Sequence, residues 1–289
     1  MKNSPVLGII GGSGLYDMKN LHVFETLTPE TPFGKPSSPI VIGEINGKMM
    51  AFLARHGIGH IYSPTEVNYR ANIYALKALG VQRIISISAC GSLRDDFKPG
   101  EIVIPDNLLD FTRERKRTFF EDGIVAHVGS ANPYCSQLSG WVGDAVEESG
   151  GTVHRGGTLI TIEGPRFSTR AESNLFRQWG MSIIGMTASP EAFLAREAEM
   201  CYTTMAHVTD YDVWHVSEEE VSVELVIKTL MKNTELAQKA ISALASQGDM
   251  AEDCACHHAL KDAIITRPTA ISEDAKQRLD LLISKYFQG

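Results

Sequence analysis

The chain has 289 residues, 43% of them hydrophobic and 21% charged, enough apolar side chain for a large core, which excludes a disordered tail, a disulfide mini-protein and a fibrous repeat. A formal charge of −8 repels a phosphodiester backbone, and no run of five like basic residues occurs, so nucleic acid is not an expected partner. No stretch approaches the ~20 apolar residues of a membrane span; the first apolar run is cut by glycines before it could act as a signal segment, and five scattered cysteines point to reduced thiols in a cytosolic protein.

Val6 to Ile10 is a short apolar run ended by Gly11-Gly12-Ser13-Gly14, the pattern of a strand covered on both faces. Pro39 to Ile45 and Lys48 to Leu53 form a strand pair around Asn46-Gly47, a dipeptide suited to positive φ. Ser63-Pro64-Thr65-Glu66 has the spacing of a capping box and predicts a helix through Val67, Ala71, Tyr74, Ala75 and Leu79 to Gly80. Strands are expected at Arg83–Ala89, Glu101–Ile104, Leu159–Ile162, Met181–Met186 and Met200–Val208. Between them, Thr169-Arg170-Ala171-Glu172 caps a helix to Trp179 and Ser189-Pro190 opens another; Ser217-Glu218-Glu219-Glu220 caps a long one with Val226, Leu230, Ala237, Ile241 and Leu244 on one face. Such alternation predicts an α/β fold, and with neither a linker nor a repeat, one domain over 1–289 with a helical tail from about 257.

Ligands of open α/β sheets bind beyond the carboxyl ends of the strands. Five such places carry chemistry: Gly11 to Gly14, Arg55-His56-Gly57, Ser88-Ala89-Cys90-Gly91, Met186-Thr187 and Thr209-Asp210-Tyr211-Asp212. The glycine loop lacks both the third glycine of a dinucleotide fingerprint and the Lys-Ser/Thr of a P-loop. It still lets backbone N–H groups approach an anion, Ser13 adds a hydroxyl, and Arg55 offers a planar fork of donors with His56 beside it. With Ser88 and Thr187, this donor set suits free phosphate better than a nucleotide tail. Taken singly, each residue also fits ordinary turn or surface chemistry. On an extended chain Asp210 and Asp212 would lie on one face about 7 Å apart, a span that can grip two edges of a flat polar ring. Phe167 and Met186, taken alone, fit the core. Cys254-Ala255-Cys256-His257-His258 is crowded into one stretch without a distant partner motif, so free thiols and no metal are expected there.

The runs Ile9 to Leu15, Thr31-Pro32-Phe33-Gly34-Lys35-Pro36, Leu53 to Gly57, Ala89 to Leu93, Glu163 to Ser168 and Thr209 to Asp212 together closely resemble the 5'-methylthioadenosine phosphorylases, of the trimeric purine nucleoside phosphorylase branch. The resemblance implies the nucleoside phosphorylase fold, a mixed central sheet flanked by helices. It also implies a pentosyltransferase of purine and methionine salvage, in which phosphate attacks the anomeric carbon of a purine nucleoside and releases the base. Carried over by motif, Ser13, Arg55, His56, Ser88, Ala89 through its N–H, and Thr187 hold phosphate, while Met186 lies against the ribose. Phe167 and Ser168 border the base, Asp210 shares a proton at purine N7, and Asp212 accepts from a 6-amino group. His127, Val223 and Val226 match the 5'-substituent pocket, where two valines suit a methylthio group; surface and helix core are their rival placements. The implied substrate is 5'-methylthioadenosine, giving adenine and 5-methylthioribose 1-phosphate. A 6-oxopurine nucleoside or methylthioinosine phosphorylase is the alternative. No cofactor is implied, since phosphate is a substrate, and the implied assembly is a cytoplasmic homotrimer, or a dimer of trimers.

Overall fold

In a computed structural model of the chain, the described residues are 5–16, 18–215, 223–247 and 253–287, and among these the side chains of 13, 16 and 223–232 lie outside the description. The strands are β1 (Leu7–Gly11), β2 (His22–Leu27), β3 (Ile40–Ile45), β4 (Lys48–Ala54), β5 (Arg83–Ser92), β6 (Ile102–Ile104), β7 (Asn107–Phe111), β8 (Val153–Arg155), β9 (Thr158–Ile162), β10 (Ile183–Gly185) and β11 (Cys201–Asp210). The helices are α1 (Tyr69–Ala78), α2 (Ser136–Glu148), α3 (Arg170–Gln178), α4 (Ala188–Glu197), α5 (Val223–Ser246) and α6 (Glu273–Ile283).

The eleven strands form one mixed sheet in the order β2-β3-β4-β1-β5-β10-β9-β7, and it forks at β5, which also pairs along its length with β11 and through it with β6 and β8. β1 is parallel to β4 and β5, β5 is parallel to β11, and β10 runs antiparallel to β5. The resemblance's mixed sheet flanked by helices is what the chain forms.

Strand pleating sends alternate residues to opposite faces, and each face has its own core. Leu7, Ile9, Ile85 and Ile87 pack on one side with Leu138 and Val142 of α2 and Ile241 and Leu244 of α5. Ile10 and Ile84 pack on the other with Ile73 of α1, Ala192 of α4 and Leu279 of α6. Ile9 and Ile10 are 1% and 0% exposed, so truncating either to Ala costs roughly 2–5 kcal/mol.

Two expected helix starts differ. Ser63 and Glu66 make only half of a capping box, Ser63 N–H donating to Glu66 Oε2 at 2.9 Å, and the helix begins at Asn68, whose side chain accepts from the Ala71 N–H. Here the sequence spacing marks a turn, and the better placed Asn68 caps instead. The chain enters α4 at Ala188, with non-helical backbone at Ser189. At Thr169 the capping box is complete, both reciprocal hydrogen bonds being made with Glu172. Ser217 lies outside the described residues.

Candidate active site

Strand register brings the anion-binding candidates to one level. In the β1 pairings Gly11 stands beside Ala54, and Ile10 beside both Leu53 and Ser86. Gly12-Ser13 and Arg55-His56 therefore leave β1 and β4 at the level of Ser88-Ala89, which still lie within the adjacent β5. Beyond the end of β1, on the same edge of β5 and across from β11, Ile184 is paired with Gly91, so the chain leaving β10 carries Met186 and Thr187 past Ala89 and Ser88. Thr187 is buried, and its side chain makes no capping hydrogen bond to the helix that follows. Ser88 and Ala89 are half-buried at the same spot. The Ser13 hydroxyl lies outside the described residues.

Arg55 departs from expectation. Its guanidinium points into the protein, not out of it, and is 2% exposed as a whole residue. Nε and Nη2 donate to Glu191 Oε2 and Oε1 at 2.8 and 2.9 Å, Nη2 donates to Ser86 Oγ at 2.6 Å, and Nη1 donates to the Ile87 carbonyl at 3.1 Å. A guanidinium has five N–H donors; four are committed, leaving one for an anion in place of a two-pronged grip. Burial opposes the charge, but the Glu191 carboxylate outweighs it and holds Arg55 protonated well above its ordinary range. The physical reason is that Glu191, fully buried and also accepting from Tyr202 Oη at 2.9 Å, needs a cation more than solvent does.

His56 lies at the rim, stacked on His60 at 4.3 Å, with Nδ1 2.9 Å from the Tyr62 carbonyl. A carbonyl only accepts, so Nδ1 carries the hydrogen and the neutral ring offers Nε2 as an acceptor. Burial, and then the Arg55 cation, push its pKa down to about 4.

The two acids stand at the end of β11, above Gly91. They do not lie on an extended chain: β11 stops at Asp210, Asp212 takes a left-handed φ of 49°, and its N–H folds back to donate to Asp210 Oδ1 at 2.7 Å. The turn wins because the Asp210 side chain satisfies a backbone donor that an extended chain at the sheet's edge would leave open. A Cβ on Gly91 would come within 3.0 Å of Asp210 Oδ1 and 3.2 Å of Asp212 Cβ, so glycine lets both acids approach the strand. Both are buried, at 8% and 7% exposure. Burial raises the pKa of Asp210, and burial followed by the nearby Asp210 charge raises that of Asp212 to about 6. Asp212 Oδ2 and Ser168 Oγ are buried without a hydrogen-bond partner. Beside a heterocycle, Asp212 Oδ2 could accept a hydrogen bond and Ser168 Oγ could donate or accept one.

The wall between the anion end and the acids is built by Arg115, which the sequence reading did not single out. Its Nη1 donates to the Met186 and Ser189 carbonyls at 2.7 and 2.6 Å, and Nη2 donates to that of Glu163 at 2.8 Å. Glu163 in turn accepts from Thr65 Oγ1 at 2.5 Å and from the Arg113 N–H. A Cβ on Gly164 would meet Met186 Sδ at 2.7 Å, so the loop from Glu163 rests directly on Met186. Phe167 follows on that loop at 37% exposure. Glu191 and Arg115 carry no local motif; the only sequence signal is their charge beside apolar runs. His127 is not gathered into this group: it is exposed, and its N–H donates to the Ala263 carbonyl of the C-terminal segment at 2.9 Å. The Val223 and Val226 side chains lie outside the described residues.

This donor pocket, an apolar wall and two hydrogen-bonded acids can bind an anion at one end and a flat polar heterocycle at the other. Residues 6–246 match the model of the phosphorylase superfamily. A Geobacter sulfurreducens protein described as S-methyl-5'-thioadenosine phosphorylase is 53% identical over 282 residues, covering 97% of this chain and 99% of that one. The crystal structure of a methylthioadenosine phosphorylase from an Antarctic soil metagenomic library superposes with a TM-score of 0.92 at 48% identity, covering 97% of this chain and 99% of that one. The methylthioadenosine phosphorylase of Schistosoma mansoni, solved in complex with adenine, gives 0.82 at 33% identity, covering 97% and 98%.

Proposed function

The chain belongs to the phosphorylase superfamily and, within it, to the methylthioadenosine phosphorylases, and on that footing we propose that it cleaves 5'-methylthioadenosine with phosphate to adenine and 5-methylthioribose 1-phosphate. One observation carries the reading: along β5 the donors of Ser88 and Ala89 and the acid pair over Gly91 are two to three residues apart. At ~3.3 Å per residue that is ~7–10 Å, the span from a nucleophile below an anomeric carbon to the far edge of a purine.

Phosphate, held by Ser13, Ser88, the Ala89 N–H, Thr187 and the last free N–H of Arg55, with His56 Nε2 accepting from a phosphate O–H, attacks the anomeric carbon as the bond to purine N9 breaks. The sugar becomes cationic in between, and the fixed anion beneath it lowers that barrier electrostatically. Asp210, in the protonated form that burial favours, gives its proton to N7, so the base leaves uncharged, and the hydrogen lost by the phosphate restores that proton. Asp212, ionised above about pH 6, accepts from the 6-amino group with its unpartnered Oδ2 and is mismatched to a 6-oxo group. Met186 packs on the ribose and Phe167 and Ser168 border the base. No cofactor enters this sequence of events.

The 5' end of the pocket is assigned to Val223, Val226 and His127. The exposed position of His127, on a loop tied to the C-terminal segment, supports a homotrimer in which a neighbouring subunit's loop closes the site. The same assembly would let trimers pair into a dimer of trimers. Among the described residues no helix is long and apolar enough to cross a membrane, which fits a cytoplasmic enzyme acting on small molecules. Competition among 5'-methylthioadenosine, adenosine and inosine tests the assignment; preferential consumption of inosine would replace it by the 6-oxopurine alternative.

A further inference from the structure

Four of the five cysteines, far apart in sequence, converge in space. Cys135 precedes α2, Cys201 opens β11, and Cys254 and Cys256 begin the C-terminal segment, yet their Sγ atoms all lie within 4.8 Å of one another. Cys135 Sγ and Cys254 Sγ are 3.7 Å apart. Four thiolates around a tetrahedral ion with metal–sulfur bonds of about 2.3 Å stand about 3.8 Å apart. A disulfide brings sulfurs to about 2.05 Å, and all four cysteines here are unbonded to one another. The convergence is of four atoms on one point, not of two separate pairs.

The surroundings carry matching charge. Arg83, fully buried, donates from Nη1 to Cys201 Sγ at 3.0 Å, and Arg196 donates from Nη1 to Cys256 Sγ at 3.3 Å. The Leu138 N–H donates to Cys135 Sγ at 3.5 Å, and His257 Nε2 lies 3.6 Å from Cys201 Sγ. Four thiolates and one divalent ion sum to −2, which the two guanidiniums bring to zero.

We propose that Cys135, Cys201, Cys254 and Cys256 form a structural zinc site, with Arg83 and Arg196 neutralising its thiolates. Four soft thiolate ligands with no open position select zinc and leave nothing for substrate. Cys201 and Asp210 occupy opposite ends of the ten-residue β11, so the site lies ~30 Å along the strand from the acids. Its work is mechanical: it ties the C-terminal segment to β11 and α2. That segment then holds the His127 loop, through Ala263 and through Ile265, whose N–H donates to the Val125 carbonyl. Cys254, only half-buried, leaves an entry route for the ion.

The test uses full-length, untagged protein purified under reducing conditions with zinc and then desalted. About one zinc per chain is expected, with four cysteines shielded from alkylation until a chelator is added, and the thiolate charge-transfer and tetrahedral ligand-field bands of cobalt on substitution. Cys254→Ser, at the half-buried ligand, loses the metal, and Cys90→Ser, outside the cluster, keeps it. Arg196→Gln, which leaves every ligand in place, weakens zinc binding by about 10–100-fold. Absence of zinc from folded protein, iron in its place, or disulfides among these four cysteines in reduced preparations would overturn the proposal. Because every readout is metal content or thiol state, it stands or falls independently of substrate.

Discussion

Thr209 Oγ1 lies 2.6 Å from Asp210 Oδ2 and 3.2 Å from the Cys90 carbonyl oxygen. One hydroxyl carries one hydrogen. It goes to the nearer acceptor, so Thr209 donates to Asp210 Oδ2, and the Asp212 N–H donates to Oδ1. Those two donors favour the carboxylate, burial favours the neutral acid that base departure requires, and burial outweighs them, so Asp210 is held above its ordinary range. Asp210→Asn should lower kcat by about 10²–10⁴-fold and leave the phosphate KM near its original value. Steady-state kinetics with phosphate varied checks this; equal, mild changes in both would remove Asp210 from the proton-donor role.

On the proposed mechanism Asp212 should set the acid side of the pH profile. A carboxyl raised to about 6 is ionised above that value and progressively neutral below it, and the neutral form loses its acceptor-only character. The kcat/KM for 5'-methylthioadenosine should therefore fall toward tenfold per unit as pH drops below about 6. Asp212→Asn should remove that limb and weaken selection of the 6-amino group over a 6-oxo group roughly 10–100-fold, the worth of a hydrogen bond to a charged group. A profile unchanged by the substitution would assign the limb elsewhere.

Glu191 and Arg55 form a buried pair whose loss is felt in stability before it is felt in binding. Glu191→Leu leaves a desolvated guanidinium unpaired and should cost about 3–5 kcal/mol, seen as a lowered Tm without any ligand. If Arg55 were only an anion ligand, the substitution would change the phosphate KM and leave the melting temperature alone.

Much of the site was legible in the sequence because its residues sit where buried strands end. Short apolar runs locate β1, β5 and β11, and the residues after them, Gly11-Gly12-Ser13, Ser88-Ala89 and Asp210, are brought together by register. Three things were hidden for physical reasons. The β2, β7 and β8 strands are short, and β2 is almost wholly exposed, so no apolar pattern announces it; α2 does carry helical spacing in its buried Leu138, Val142, Ala145 and Val146. The partners of charged groups are set by tertiary packing: nothing local shows that Arg55 turns toward Glu191, or that Arg115 ties Met186 to Glu163. The cysteine cluster was hidden likewise, since Cys254 and Cys256 find Cys135 and Cys201 only after β11 and the C-terminal segment pack together. The turn at Asp212 escaped because two acids at alternate positions fit an extended strand equally well until the backbone N–H chooses the Asp210 side chain.

The most direct measurement is adenine release from 5'-methylthioadenosine in phosphate-free buffer and again with isotopically labelled phosphate, following both the base and the sugar product. Release that needs phosphate and places the label on the sugar at its anomeric oxygen is what a mineral nucleophile held beneath an acid-clamped aminopurine must give. Adenine formed equally well in water alone, with no labelled sugar, would contradict it.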